Sequence, residues 1–138
     1  MYHVKFDPNG QLIKIQIDYF GTLTASYVYT LWEKNSNAKA DEKSGNNQNS
    51  QDDKYELPSP VQQNAERIIE VFSTLTNPDV TDSREIVAIK ILQGNTTLFS
   101  EEDPTGVQIA GENFSVVEEK IVQAGTTELS DPFIKLIV

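Results

Sequence analysis

The chain has no cysteine and only one histidine, one tryptophan and one methionine, and these scarcities exclude a good deal of chemistry. Without thiols there can be no disulfide, no thiolate nucleophile and no cysteine-held zinc or iron–sulfur centre. The single histidine, His3, stands at the chain end. A Ser-His-Asp or Cys-His apparatus needs an imidazole oriented by a carboxylate inside a structured site, and an isolated terminal residue is a poor candidate. Zinc sites of the usual kind are disfavoured for the same reason. The seven glycines fall singly at turn positions, so no loop is built to cradle a phosphate.

Basic charge is scarce too. Eleven lysines and arginines face 21 aspartates and glutamates, for a net charge of −10. Lys5, Lys14, Lys34, Lys90 and Lys135 lie on separate segments, with Arg67 and Arg84 as the only arginines. Nucleic acid, which is bound by clustered cations that displace counterions, is not an expected partner. Nor is a bare anionic membrane. No apolar run is long enough to span a bilayer, and Met1 to Gly10 carries no signal-type apolar stretch. The compartment stays open.

What is present is strand signal. A chain of 138 residues, 38% hydrophobic, fits one domain over residues 1–138. Ile13, Ile15 and Ile17 alternate with Lys14, Gln16 and Asp18, the period-2 pattern of a half-buried strand. Residues 23–34 are rich in Thr, Tyr and Val, and Phe20-Gly21-Thr22 reads as a tight turn, so the two segments predict a long hairpin. Residues 35–54 hold mainly Ser, Asn, Gln, Asp and Lys, which predicts a long mobile polar loop. Residues 57–60, with two prolines, read as an extended edge or crossover. Residues 64–75 fit a helix by spacing and a strand by propensity; the strand reading is preferred, and a helix would make the fold α+β. Further strands follow near residues 85–92, 96–99, 107–110, 113–122 and 132–138. The whole predicts an all-β, single antiparallel β-sandwich of about eight strands, either immunoglobulin-like or jelly-roll.

Three sets of residues are candidates for function. Asp79, Asp82 and Glu85 lie in one acidic loop region, and Glu101, Glu102 and Asp103 in another, with Asp52 and Asp53 ending the polar loop. Loops at the end of a sandwich can bring together the six to eight oxygens that calcium requires, although no EF-hand spacing occurs. No other cofactor is implied. Tyr27 and Tyr29 share one face of a strand, and Trp32 falls on the opposite face. An exposed tyrosine pair would suit stacking on a sugar ring; Trp32 is expected in the core. Lastly, abundant carboxylates could supply a hydrolytic pair, which must face each other about 5–10 Å apart.

The leading expectation is a non-catalytic binding or assembly module that uses a sandwich surface to meet a protein partner or itself, or a carbohydrate. The alternatives are a calcium-dependent carbohydrate- or membrane-binding domain and, last, a carboxylate-based hydrolase.

Overall fold

The computed structural model describes residues 1–48 and 53–138. Strand accounts for 58% of it against 3% helix, which closes the α+β alternative. The strands are β1 (Tyr2–Lys5), β2 (Ile13–Phe20), β3 (Thr24–Trp32), β4 (Lys39–Asn46), β5 (Lys54–Glu56), β6 (Ile68–Thr76), β7 (Ser83–Gln93), β8 (Thr96–Leu98), β9 (Val107–Ile109), β10 (Glu112–Phe114), β11 (Val116–Val122), β12 (Thr127–Ser130) and β13 (Phe133–Ile137). These segments outnumber the eight or so expected because several are three-residue pieces. A six-stranded sheet runs β1-β13-β6-β3-β4, with β12 also on β6, and a five-stranded sheet runs β11-β7-β2-β5, with β8 also on β7. One pair departs from the antiparallel expectation: β1 runs parallel to β13, with Tyr2 opposite Ile134.

Alternation sends one side of each strand into the layer between the sheets. From the six-stranded sheet come Tyr27, Tyr29, Leu31, Ile69, Val71, Ile134 and Leu136; Ile13, Ile15, Ile17, Ile89 and Ile91 meet them from the other. In β6, Ile69, Val71, Ser73 and Leu75 are buried while Glu70, Phe72 and Thr76 are not. That two-residue period decides for strand over helix in the ambiguous segment.

The long hairpin expected from residues 12–34 does not form. Strand β2 pairs with β5 and β7, whereas β3 pairs with β4 and β6, so residues 21–23 carry the chain from one sheet to the other. A buried carboxylate holds this crossover. Glu85, 2% exposed, accepts the backbone N–H of Thr22 at 2.9 Å and of Leu23 at 3.0 Å, and the Ser83 hydroxyl at 3.0 Å. Gly21 has φ +144°, and a Cβ there would fall 1.8 Å from Glu85 Oε2. Only glycine fits against the carboxylate.

The polar loop expected at 35–54 is also corrected. Residues Lys39–Asn46 form β4, paired with β3 from Ser26↔Asn46 to Trp32↔Lys39. An edge strand with no fully buried residue needs no apolar alternation, and its charges deter pairing with other chains. Asp52 lies outside the described residues.

Candidate functional site

The outer faces of the two sheets differ. On the five-stranded sheet, the β9–β10 pair contributes Phe114, fully buried, whose ring lies 5.7 Å from Phe20 in edge contact and 5.0 Å from the Lys90 ammonium. Glu112 of the same pair meets Lys90 Nζ at 3.2 Å. The six-stranded sheet has no such cover among the described residues. Its register places Phe133, Glu70, Thr30 and Glu42 side by side in one row, and Lys135, Ile68, Trp32 and Lys39 in the next. Phe72, Phe133 and Leu129 are 36, 37 and 49% exposed. A strip of large apolar side chains left open on a sheet face marks a surface that meets something.

One open depression indents this strip, and a second opens at its margin, where Tyr2 of β1 and Glu118 of β11 in the other sheet share the lining. One, of about 380 Å³, is lined by Trp32, Ile68, Glu70 and Phe133 with Met1, Ser36 and Asn37. The other, of about 500 Å³, is lined by Tyr2, Glu118, Asp131 and Pro132 and shares Met1 and Phe133 with the first. Phe133 is thus the ridge between them. Glu70 accepts the indole N–H of Trp32 at 2.9 Å, which fixes the ring, and the Lys39 ammonium stands 5.7 Å from the ring centroid. Asp131 lies near Glu70, which stands opposite Phe133 in the register. Partial burial, with the Glu70 carboxylate beside it, pushes Asp131 up to about 6. Among the described residues no lysine or arginine nitrogen comes within 4 Å of Glu70, Asp131 or Glu118.

A carboxyl raised in the folded state binds its proton more tightly there than in the unfolded chain. Its stabilising contribution is present below about 4 and fades as pH rises through about 6. Asp131→Asn should therefore reduce the loss of stability between pH 4 and 7. Because the group is exposed to solvent, the gain at pH 7 should stay below about 1 kcal/mol. Urea unfolding of both proteins at the two pH values checks this; a variant that loses stability at pH 7 contradicts it.

No family model, curated protein or solved structure matches the chain. Function must be read from the geometry.

The residues singled out from the sequence lie mostly elsewhere. Tyr27 and Tyr29 are 3 and 0% exposed, so they form no sugar platform. Their rings belong to an aromatic cluster between the sheets, with Tyr29 stacked on Tyr55 at 5.9 Å and Tyr19 on Tyr27 at 6.2 Å. The Tyr27 hydroxyl donates to Asp53 at 2.7 Å and also meets the Tyr55 hydroxyl. Trp32, expected inside, is the half-buried one on the outer face. The assignment of faces was legible from alternation; which face was core was not.

The acidic residues do not converge. Among the described residues, no three His, Cys, Asp or Glu side chains are grouped as a metal would need. Glu85 points inward to the crossover. Asp82 accepts the Ala124 N–H at 3.0 Å, and Asp103 accepts the Thr105 hydroxyl at 3.0 Å. Asp79 lies on a turn where its own N–H is bound by Asn77, and Glu101 is exposed, its N–H on the His3 carbonyl. Glu102 accepts His3 Nδ1 at 2.7 Å, the His3 backbone N–H at 3.0 Å and the Ser100 hydroxyl at 2.7 Å, bonds that hold its carboxyl down to about 2. Histidine, carboxylate and serine meet here with the carboxylate in the middle. Nucleophilic catalysis needs the imidazole in the middle, so this cluster staples β1 to the 100–103 turn. With the carboxylates so dispersed, millimolar calcium should leave the unfolding midpoint where chelator leaves it. A rise of several degrees would show loops closing on the ion.

Among the described residues no helix is long and apolar enough to cross a membrane.

Proposed function

We propose that this domain is a non-catalytic binding module that docks a protein partner on the outer face of its six-stranded sheet. The observation that carries the reading is the apolar strip in which Phe72, Leu129 and Phe133 are exposed and Trp32 and Ile68 half-buried, with an open depression on either side of Phe133. Interfaces concentrate energy in aromatic anchors seated in such depressions. The strip crosses several strands, more area than a single sugar ring covers, which favours a peptide or protein surface over a carbohydrate. Self-association is the poorer fit: a two-fold interface apposes like patches, and here that would set Glu70 and Asp131 against their own copies in a chain of charge −10.

Selection of a displayed random peptide library against the intact domain tests the reading. Recovered peptides should lose at least tenfold in affinity for Trp32→Ala and for Phe133→Ala, and keep it for Ile121→Ala, a substitution at a 57% exposed residue of β11 in the other sheet. Peptides indifferent to the first two variants would place binding elsewhere.

A further inference from the structure

The strip alone does not say what chemistry lies opposite it, but its charge does. We infer that the depressions flanking Phe133 receive the lysine or arginine side chains of a basic peptide segment, with Glu70 and Asp131 as the counter-charge and Trp32 and Phe133 as the walls. This rests on the reading of the outer face as the docking surface.

Three features converge. First, Glu70 lines one depression and Asp131 and Glu118 the other, on either side of Phe133, and no lysine or arginine nitrogen among the described residues reaches any of the three within 4 Å. Some carboxylates of the chain do hold a cation, among them Glu33 with Arg67, Glu66 with Lys135, Glu112 with Lys90 and Glu119 with Arg84. Neighbouring carboxylates left without a cation repel each other in the free protein, and an incoming cation relieves the repulsion. Second, the walls are aromatic. Cations are attracted to the faces of such rings, and the chain shows the attraction itself, with its own Lys39 ammonium over Trp32. The aliphatic stem of a lysine or arginine would at the same time cover Phe133 and Ile68. Third, the net charge of −10 steers a basic partner toward the domain and repels a second acidic copy.

A divalent metal fits less well. The depressions divide three carboxylates between them, Glu70 in one and Asp131 and Glu118 in the other, beside an indole and a phenyl ring, short of the six to eight converging oxygens calcium takes.

The chain holds a single tryptophan and it lies in the groove, so its emission reports occupancy. The probes are a capped peptide Gly-Ser-Leu-Arg-Leu-Arg-Leu-Ser-Gly and its counterpart with glutamine for both arginines, titrated at low salt into the intact domain. The arginine peptide should perturb Trp32 emission and bind at least tenfold tighter than the glutamine peptide. That advantage should shrink at 0.5 M salt, since exposed charges are screened. The double variant Glu70→Gln with Asp131→Asn, which keeps an acceptor for the indole N–H, should bind both peptides equally while unfolding at no lower temperature than the parent. Equal affinity of the parent for the two peptides overturns the inference and leaves the docking face standing. Tight arginine-peptide binding that the double variant retains also overturns it, by placing the cation elsewhere. No response to either peptide, from a domain whose selected peptides do depend on Trp32, overturns it as well.

Discussion

Glu85→Ala should destabilise the domain by about 3–5 kcal/mol, because it removes a buried acceptor on which three donors converge. The backbone N–H groups of Thr22 and Leu23 and the Ser83 hydroxyl would all lose their partner where the chain passes between sheets. For a protein of this size such a loss is a large share of total stability and should lower the unfolding midpoint by on the order of 10–15 °C. Glu85→Gln keeps one acceptor oxygen and should lose roughly half as much by the same reasoning. The two partners are also coupled. Gly21→Ala should cost more in the parent, where its Cβ would meet Glu85 Oε2 at 1.8 Å, than in the Glu85→Ala background, where only the backbone strain at φ +144° remains. A double-mutant cycle by urea unfolding measures that difference. Additive losses, or a loss for Glu85→Ala below the roughly 1 kcal/mol that even one orphaned buried donor costs, would mean that something other than this carboxylate holds the crossover.

Arg67→Ala should be the other large loss, about 2–3 kcal/mol for removing a buried guanidinium that makes a two-pronged pair with the half-exposed Glu33 and holds buried Asn64. The Arg67 side chain is 11% exposed and donates to Glu33 through Nε at 3.2 Å and Nη2 at 2.9 Å, and through Nη1 to Asn64 Oδ1 at 3.1 Å. Asn64, itself fully buried, donates to the carbonyls of Pro58 and Val61. One guanidinium thus ties the end of β3 to the connection between β5 and β6. Arg67→Lys keeps the charge but not the planar fork, so most of the loss should persist. Thermal unfolding of Arg67→Ala, Arg67→Lys and Glu33→Gln orders these effects; full rescue by lysine would show that charge alone mattered.

These two sites also mark where the sequence was hard to read. Period-2 alternation found β2 and β3, and propensity identified β6. Turn residues marked the ends of β7. All of these are local signals. Which strands pair is a long-range property, and the Phe20-Gly21-Thr22 turn looked like a hairpin because its partner, Glu85, lies far along the chain in β7. An acidic residue near Asp79 and Asp82 reads as a loop ligand; only the fold shows it turned inward. Strand β4 escaped notice for the opposite reason. With no fully buried residue, it has no apolar rhythm, and Ser, Asn and Asp favour turns. The face proposed for docking was hidden by a symmetry of the same kind. Alternation in Tyr27 to Trp32 separates two faces without saying which is core, and the covering of Tyr27 and Tyr29 by Tyr19 and Tyr55 depends on strands from the other sheet. Glu70 and Asp131, far apart in the chain, come near each other only because β13 pairs with β6.

Acrylamide quenching of Trp32 emission, in the free domain and when saturated with a selected peptide, tests most directly whether the outer face of the six-stranded sheet is the docking surface. The free domain should be readily quenched, because the indole lines an open depression, and bound peptide should suppress most of that quenching. Emission that is shielded in the free domain, or equally quenchable with the peptide bound, would contradict the assignment.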